Sequence, residues 1–419
     1  MPGLDFLISV PPSDNRPRVP PQESYLSEYV LAPVYDRIVL FYPTWWMPNK
    51  VTLVGIFSTL LASLLLLTAM PPSTVFEPPF ATVVPASLLL DRDEKWRDAA
   101  GPSPLCLTML QPLFSSVFSS PILMLFVCGL LNAIYCITDN TDGRLARRLG
   151  KASFIGEYLD HGLDCVTSLI STSVTMSILG LSFSNIGVTV MFLAFTTVLS
   201  HTLHYEENIF VWGNRYVSVD EAMLFFCAAN WVPILLPDFA TVKVPQALLY
   251  ALLPEAWAQL LLPVRLVEVL MIVYWLSHVQ VTLGIAFKSC RMLFRLTSLA
   301  LCFNAFLLLA IVPYHTAHIA AHGTAGYAWG PFSYVAVWII TMACTSSIVV
   351  HILIYARCAK LQRVDPVALA GLVFVWLIFP TCPVGGMVLS VIWHITQIVI
   401  NVRHLEGIGH TAAEKSKTS

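Results

Sequence analysis

The sequence predicts an all-α, polytopic integral membrane protein with about ten transmembrane helices and an N-terminal helix lying in the membrane interface. Three observations predict it. Of 419 residues, 57% are hydrophobic and only 11% are charged, whereas a soluble domain carries about 25% charged residues. Apolar runs close to the ~20 residues that cross a hydrocarbon layer recur along the chain. Lysine and arginine gather on one side of the topology that those runs imply.

The elements follow in order. Residues 1–23 are proline-rich, carry no cleavable leader, and read as a cytosolic arm. Residues 24–47 mix polar groups with Tyr25, Tyr29, Tyr35, Phe41, Tyr42, Trp45 and Trp46, a pattern suited to a helix in the interface. Arm and amphipathic helix together make a first unit, 1–47. Pro48-Asn49 then opens the first span, 51–70, with proline in its favoured first-turn place. A long loop with many prolines and a charged patch fills 71–119. Further spans are expected at 121–138, 155–179, 186–203, 219–236, 264–287, 293–313, 332–355, 367–379 and 384–402. The first six spans form a core, 48–290. The last four form a bundle, 291–404, and a cytosolic tail occupies 405–419.

Charge supports this count. With the N-terminus inside, only Arg92, Lys95, Arg97, Lys243 and Arg265 of the 23 Lys and Arg fall outside. Both termini and the loop after the second span then face the cytosol. A net charge of −2 argues against a nucleic-acid partner. The ten cysteines are scattered through apolar runs with no metal-ligand spacing, and read as reduced packing residues.

One stretch is unlike the rest. Residues 139–164 read DNTDGRLARRLGKASFIGEYLDHGLD. On a helix, Asp139 and Asp142 share a face, and so do Asp160 and Asp164. Two helix ends offering two carboxylates each can surround a pair of hard cations, which take oxygen ligands. Without a cation, four converging carboxylates would repel one another.

This stretch resembles the CDP-alcohol phosphotransferase motif. It has Asp139, two residues, Asp142-Gly143, two residues, Ala146-Arg147, eight residues, Gly156, three residues, Asp160, three residues, Asp164. The flanking residues around Arg148 and the Glu157-Tyr158-Leu159-Asp160-His161 run are similar to the eukaryotic choline/ethanolamine phosphotransferase branch. The resemblance implies transfer of phosphoethanolamine or phosphocholine from CDP-ethanolamine or CDP-choline to diacylglycerol or alkylacylglycerol, releasing CMP. It implies two Mg²⁺ (or Mn²⁺) ions held by Asp139, Asp142, Asp160 and Asp164. A homodimer is expected by the same analogy, and Gly371, Gly385 and Gly386 would permit close helix packing; residence in the endoplasmic reticulum membrane is expected from the dilysine-like Lys415 and Lys417.

The resemblance also distributes roles around the nucleotide. Asn49 would lie near it, as a similar Pro-Asn does in the family. Gly143 would let backbone approach it closely. Ala146 would keep the helix face shallow beside the cytidine. Arg147 would pair with a phosphate, or else serve topology as a basic cytosolic residue. Gly156 would let two helices pack closely, or else mark the start of a helix. Glu157, Asp160, His161 and Asp164 lie within roughly 100° on a helix. His161 is therefore the expected general base, oriented by Glu157 at i−4, with Asp164 as the competing base.

Other features are less specific. The segment His201 to Glu207, followed by Asp220-Glu221, is a degraded version of a family segment, able to face an ammonium group or to form a plain polar loop. His315, His318 and His322 recur at helical spacing, as an interfacial face or a metal site. Lys415 and Lys417 resemble a dilysine retrieval signal. Two other readings compete: a family member with an inositol or glycerol-phosphate acceptor, and an ion-coupled transporter using the aspartates. Clustering of all four aspartates within 26 residues favours phosphate chemistry over the transporter.

Overall fold

A bilayer offers no partner to an unpaired backbone amide, so an apolar chain crosses it as helices. The structure, a computed structural model, describes residues 23–69, 121–181, 183–211, 213–236, 239–252, 254–260, 264–288, 334–361 and 367–418. Among these the elements are helical, apart from isolated bridges joining Gly213 to Ser218 and Lys243 to Arg265.

A π-turn, Ser27–Leu31, runs into α1, Ala32–Phe41. Helices α2, Pro48–Ala69, and α3, Pro121–Leu149, form the most extensive helix pair. Next come α4, Phe154–Ile178, α5, Phe183–Glu207, α6, Val219–Ala229, and α7, Leu266–Lys288. The last are α8, Tyr334–Cys358, α9, Val367–Ile378, and α10, Pro383–Thr418. Six of these, α2, α3, α5, α7, α8 and α10, are long and apolar enough to cross a membrane. At 25 residues, α4 matches them in length.

The expected fifth span does not form as one helix. Asn230 and Trp231 interrupt it, leaving α6 and a four-residue turn, Val232–Leu235. Eleven residues of α6 reach about 16 Å, about half the ~30 Å hydrocarbon thickness. The expected ninth span is α9, a 12-residue helix and equally short. The seventh span, the 71–119 loop and the histidines at 315, 318 and 322 lie outside the described residues.

The centre of the fold is α8. Of its most apolar stretch, 94% is buried, and it packs against α4, α5, α9 and α10. By contrast α2, α3, α7 and α10 expose Phe57, Phe126, Leu276 and Ile395 outward, as helices facing lipid would. Gly385 and Gly386 are spent within the chain: added methyls would press on Cys382 and on Phe379.

Candidate active site

The site begins with a helix reversal. The sequence ends α3 with Gly150 at φ 63°, a left-handed conformation that glycine adopts without penalty. Gly150 donates its N–H to the Arg147 carbonyl at 3.2 Å, and Lys151 donates to Ala146 at 2.9 Å. This paired closure satisfies the last carbonyls of the helix. Three residues later Ser153 starts α4, its hydroxyl accepting the Gly156 N–H at 3.0 Å. The last turns of α3 and the first turns of α4 are thereby folded back on one another.

Reversal brings three of the four expected ligands together. Ligand oxygens of Asp139, Asp160 and Asp164 all lie within 4.8 Å of one another, and the residues are half-buried. Asp142 is not in that trio. It accepts the Thr52 hydroxyl from α2 and its own neighbour's N–H, that of Gly143, because its face of α3 turns towards α2. Asp164 accepts the Tyr135 hydroxyl at 2.9 Å. Tyr135 precedes Asp139 by one helical turn, so it leans over the same face of α3. An all-oxygen set of clustered carboxylates suits a hard divalent cation, so the residues fit the expected group.

The nucleotide-binding candidates lie on α2, α3 and α4, and none of them lines the cavity that the trio lines. Asn49 and Gly156 are brought into contact across α2 and α4: a methyl on Gly156 would lie 3.1 Å from Asn49 Oδ1. Gly143 is open, since a methyl there would meet only Arg147 Nη1, at 3.6 Å. Arg147 itself is exposed and Ala146 half-buried. The neighbouring arginines are occupied differently: Arg144 pairs with Asp36 of α1, and Arg148 donates to the Val39 carbonyl. Tyr42 and Thr141 share a hydrogen bond of 2.9 Å. The N-terminal helix is therefore fastened beside the signature.

Glu157 and His161 are both on α4, as the spacing requires. Glu157 forms an ion pair with Arg357 at the end of α8, a partner that the sequence did not suggest. The His161 ring stands against Phe210 at 5.2 Å and His201 at 6.1 Å between centroids. His201, His204, Tyr205 and Glu206 are buried in the last turns of α5, so a plain polar loop is not what forms there. Tyr205 donates to the Leu361 carbonyl at 2.7 Å. Glu221 belongs to the capping box of α6 with Ser218. Asp220 and Glu221 also accept hydroxyls from Ser27 and Ser24.

A cavity of about 580 Å³ joins these parts. Asp139, Asp160, Asp164 and His161 line one end. From there it follows one face of α4 through Ser168, Ser171, Thr172 and Met176 to Leu179. Nineteen helical steps cover about 28 Å, close to the ~30 Å depth of a hydrocarbon layer. Leu193 of α5 and Val267, Met271 and Val281 of α7 supply apolar walls.

A membrane-type helical fold with a carboxylate trio lining such a cavity defines a class of helical site able to hold a divalent cation. Residues 103–283 match the family model described as CDP-alcohol phosphatidyltransferase. The chain is 27% identical over 211 residues to ethanolaminephosphotransferase 1 of Mus musculus, covering 49% of this chain and 44% of that one. It is 30% identical over 149 residues to choline/ethanolaminephosphotransferase 2 of Arabidopsis thaliana, covering 36% and 27%. Over 118 residues it is 32% identical to CDP-diacylglycerol–serine O-phosphatidyltransferase of Encephalitozoon cuniculi, covering 27% and 29%. The chain thus spans less than half the length of these relatives.

Proposed function

We propose that this protein transfers phosphoethanolamine or phosphocholine from its CDP ester to diacylglycerol or alkylacylglycerol, giving the phospholipid and CMP. One observation carries this reading. The carboxylate trio opens onto a cavity that follows α4 for about a bilayer's depth, so a cation-bound pyrophosphate and a two-chain lipid alcohol would meet at one place.

Asp139, Asp160 and Asp164 would hold the divalent ions, with Asp142 near them, and Mg²⁺ or Mn²⁺ there would neutralise the pyrophosphate and the departing CMP. The remaining work falls to side chains. Gly143 would let the protein backbone approach the nucleotide closely, with Arg147 beside it for a phosphate. Asn49 and Gly156 would close the nucleotide site from α2 and α4. His161 would take the proton as the acceptor oxygen bonds to the β-phosphorus and the bond to CMP breaks. Glu157 would orient its imidazole.

The same reading puts the protein in the endoplasmic reticulum membrane, with termini and active site cytosolic, because the nucleotide donor is water-soluble and the acceptor is a lipid. Residues 48–290 would be the catalytic core and 291–404 the accompanying bundle, in a homodimer whose aromatic N-terminal helix rests in the interface. The test is release of labelled CMP by the purified protein in lipid, given CDP-ethanolamine or CDP-choline with diacylglycerol and Mg²⁺. Product with either donor supports the reading. No CMP from either donor overturns it, and reaction with only a soluble alcohol as acceptor would move the protein to another branch of the family.

A further inference from the structure

Helix α4 carries Asp160, His161 and Asp164 on one face. Its opposite side is held by residues that lie beyond the segment matched by the family model, 103–283. Tyr158 receives a hydrogen bond on its hydroxyl from Asn401 Nδ2, at 3.0 Å, and is buried completely. Its ring packs against His351 at 5.3 Å. Gly162 lies so close to the His351 imidazole that no side chain fits between them. Beside this contact, Arg357 at the end of α8 pairs with Glu157, which shares the face of α4 that carries His161, with 17% and 21% of their side-chain surfaces exposed.

We infer that Arg357 is a positioning residue for the reaction: it fixes the Glu157 carboxylate and, through it, the face of α4 that carries His161. The inference rests on the function proposed above.

The physical case has three parts. First, Glu157 is the fifth carboxylate within one short stretch of α3 and α4, and three of the others already converge. A mobile fifth carboxylate would be drawn to any cation held there. A guanidinium holds it in a fixed place by geometry as well as charge. Second, the pair is oriented favourably. Glu157 is in the first turn of α4 and Arg357 in the last turn of α8, so each charge also meets the helix end of opposite sign. Third, the pair is mostly enclosed, and removing one member of an enclosed pair leaves the other charge uncompensated.

The experiment measures kcat and KM for the CDP-alcohol with full-length protein in lipid nanodiscs. The set is wild type, Arg357→Gln, Arg357→Lys, Glu157→Gln and the Arg357→Gln/Glu157→Gln double variant. Loss of such a supporting partner lowers activity by about 10–100-fold. Arg357→Gln is expected to lower kcat in that range, with KM for the donor within about twofold. Arg357→Lys should recover part of the rate, since it keeps the charge but not the planar guanidinium. The double variant should be no slower than the slower single variant, because both changes break one connection. Melting curves of the same samples identify any variant that does not fold, and Arg357→Lys then carries the test. Unchanged kcat in Arg357→Gln, or losses that multiply in the double variant, would overturn the inference while the wild type still reacts. An inert wild type would instead overturn the proposed function, and the positioning role with it.

Discussion

Tyr135 Oη lies 2.9 Å from Asp164 Oδ1, joining α3 to α4 at the carboxylate trio. The phenol can only donate to an ionised carboxylate, so this bond fixes which way Asp164 points. Removing a hydrogen bond to a charged group costs about 1.5–3 kcal/mol. If all of it is felt in the barrier, Tyr135→Phe slows CMP release by about ten- to a hundredfold. The ring is kept, so the protein should fold. A rate within twofold of wild type would show that Asp164 needs no help from Tyr135.

Metal dependence follows from the trio. Asp139→Ala and Asp160→Ala each remove a ligand oxygen from a cluster packed within 4.8 Å, and both should abolish transfer. Asp142→Ala should do so as well under the two-ion reading. Its Thr52 contact gives it a further role in anchoring α2. Chelation of the wild type should stop the reaction, and added Mg²⁺ or Mn²⁺ should restore it. Turnover of Asp160→Ala near the wild-type rate would end the cation model.

His161→Ala separates base from scaffold. The imidazole lines the cavity with the carboxylates. A general base contributes typically 10²–10⁴-fold, so kcat should fall by about that much while CMP and CDP-alcohol affinity stay near wild type. Joint collapse of affinity and rate would return the base role to Asp164 and leave His161 as a wall against Phe210 and His201.

Much of this arrangement was legible in the sequence, for a physical reason. The motif from Asp139 to Asp164 is local, and helix periodicity alone puts Asp160 and Asp164 on one face, whereas Asp142 is drawn out of the expected cluster towards Thr52 of α2. Gly150 and Ser153 are ordinary helix stop and start signals, so the reversal between α3 and α4 could be read too. What could not be read is long-range. Thr52 reaches Asp142 from 90 positions away, and Arg357 reaches Glu157 from 200. Neither has a periodic signature, because a single polar residue near a helix end has many explanations. The fifth span failed for a different reason. Residues 219–236 are apolar enough overall, but Asn230, Trp231 and Pro233 divide them, and composition over a window averages such a break away.

Gly162 supplies the last prediction. It sits between Asp160 and Asp164 on α4, yet its own face turns away from them towards α8. A methyl group built on Gly162 would overlap the His351 imidazole at Cε1 and Nδ1. That ring has little room to retreat, since His394 stands edge-on at 4.8 Å and Tyr158 at 5.3 Å. Overpacking a filled interior typically costs about 1–3 kcal/mol, so Gly162→Ala should lower the melting temperature and slow transfer by tilting Asp160 and Asp164 out of register. The cause can be isolated by making room on the other side. His351→Ala alone leaves a hole and should also destabilise, but combined with Gly162→Ala it should recover stability above that of Gly162→Ala alone. Additive losses in the double variant would mean that the two residues do not compete for the same space, and the close contact of α4 with α8 would have to be abandoned.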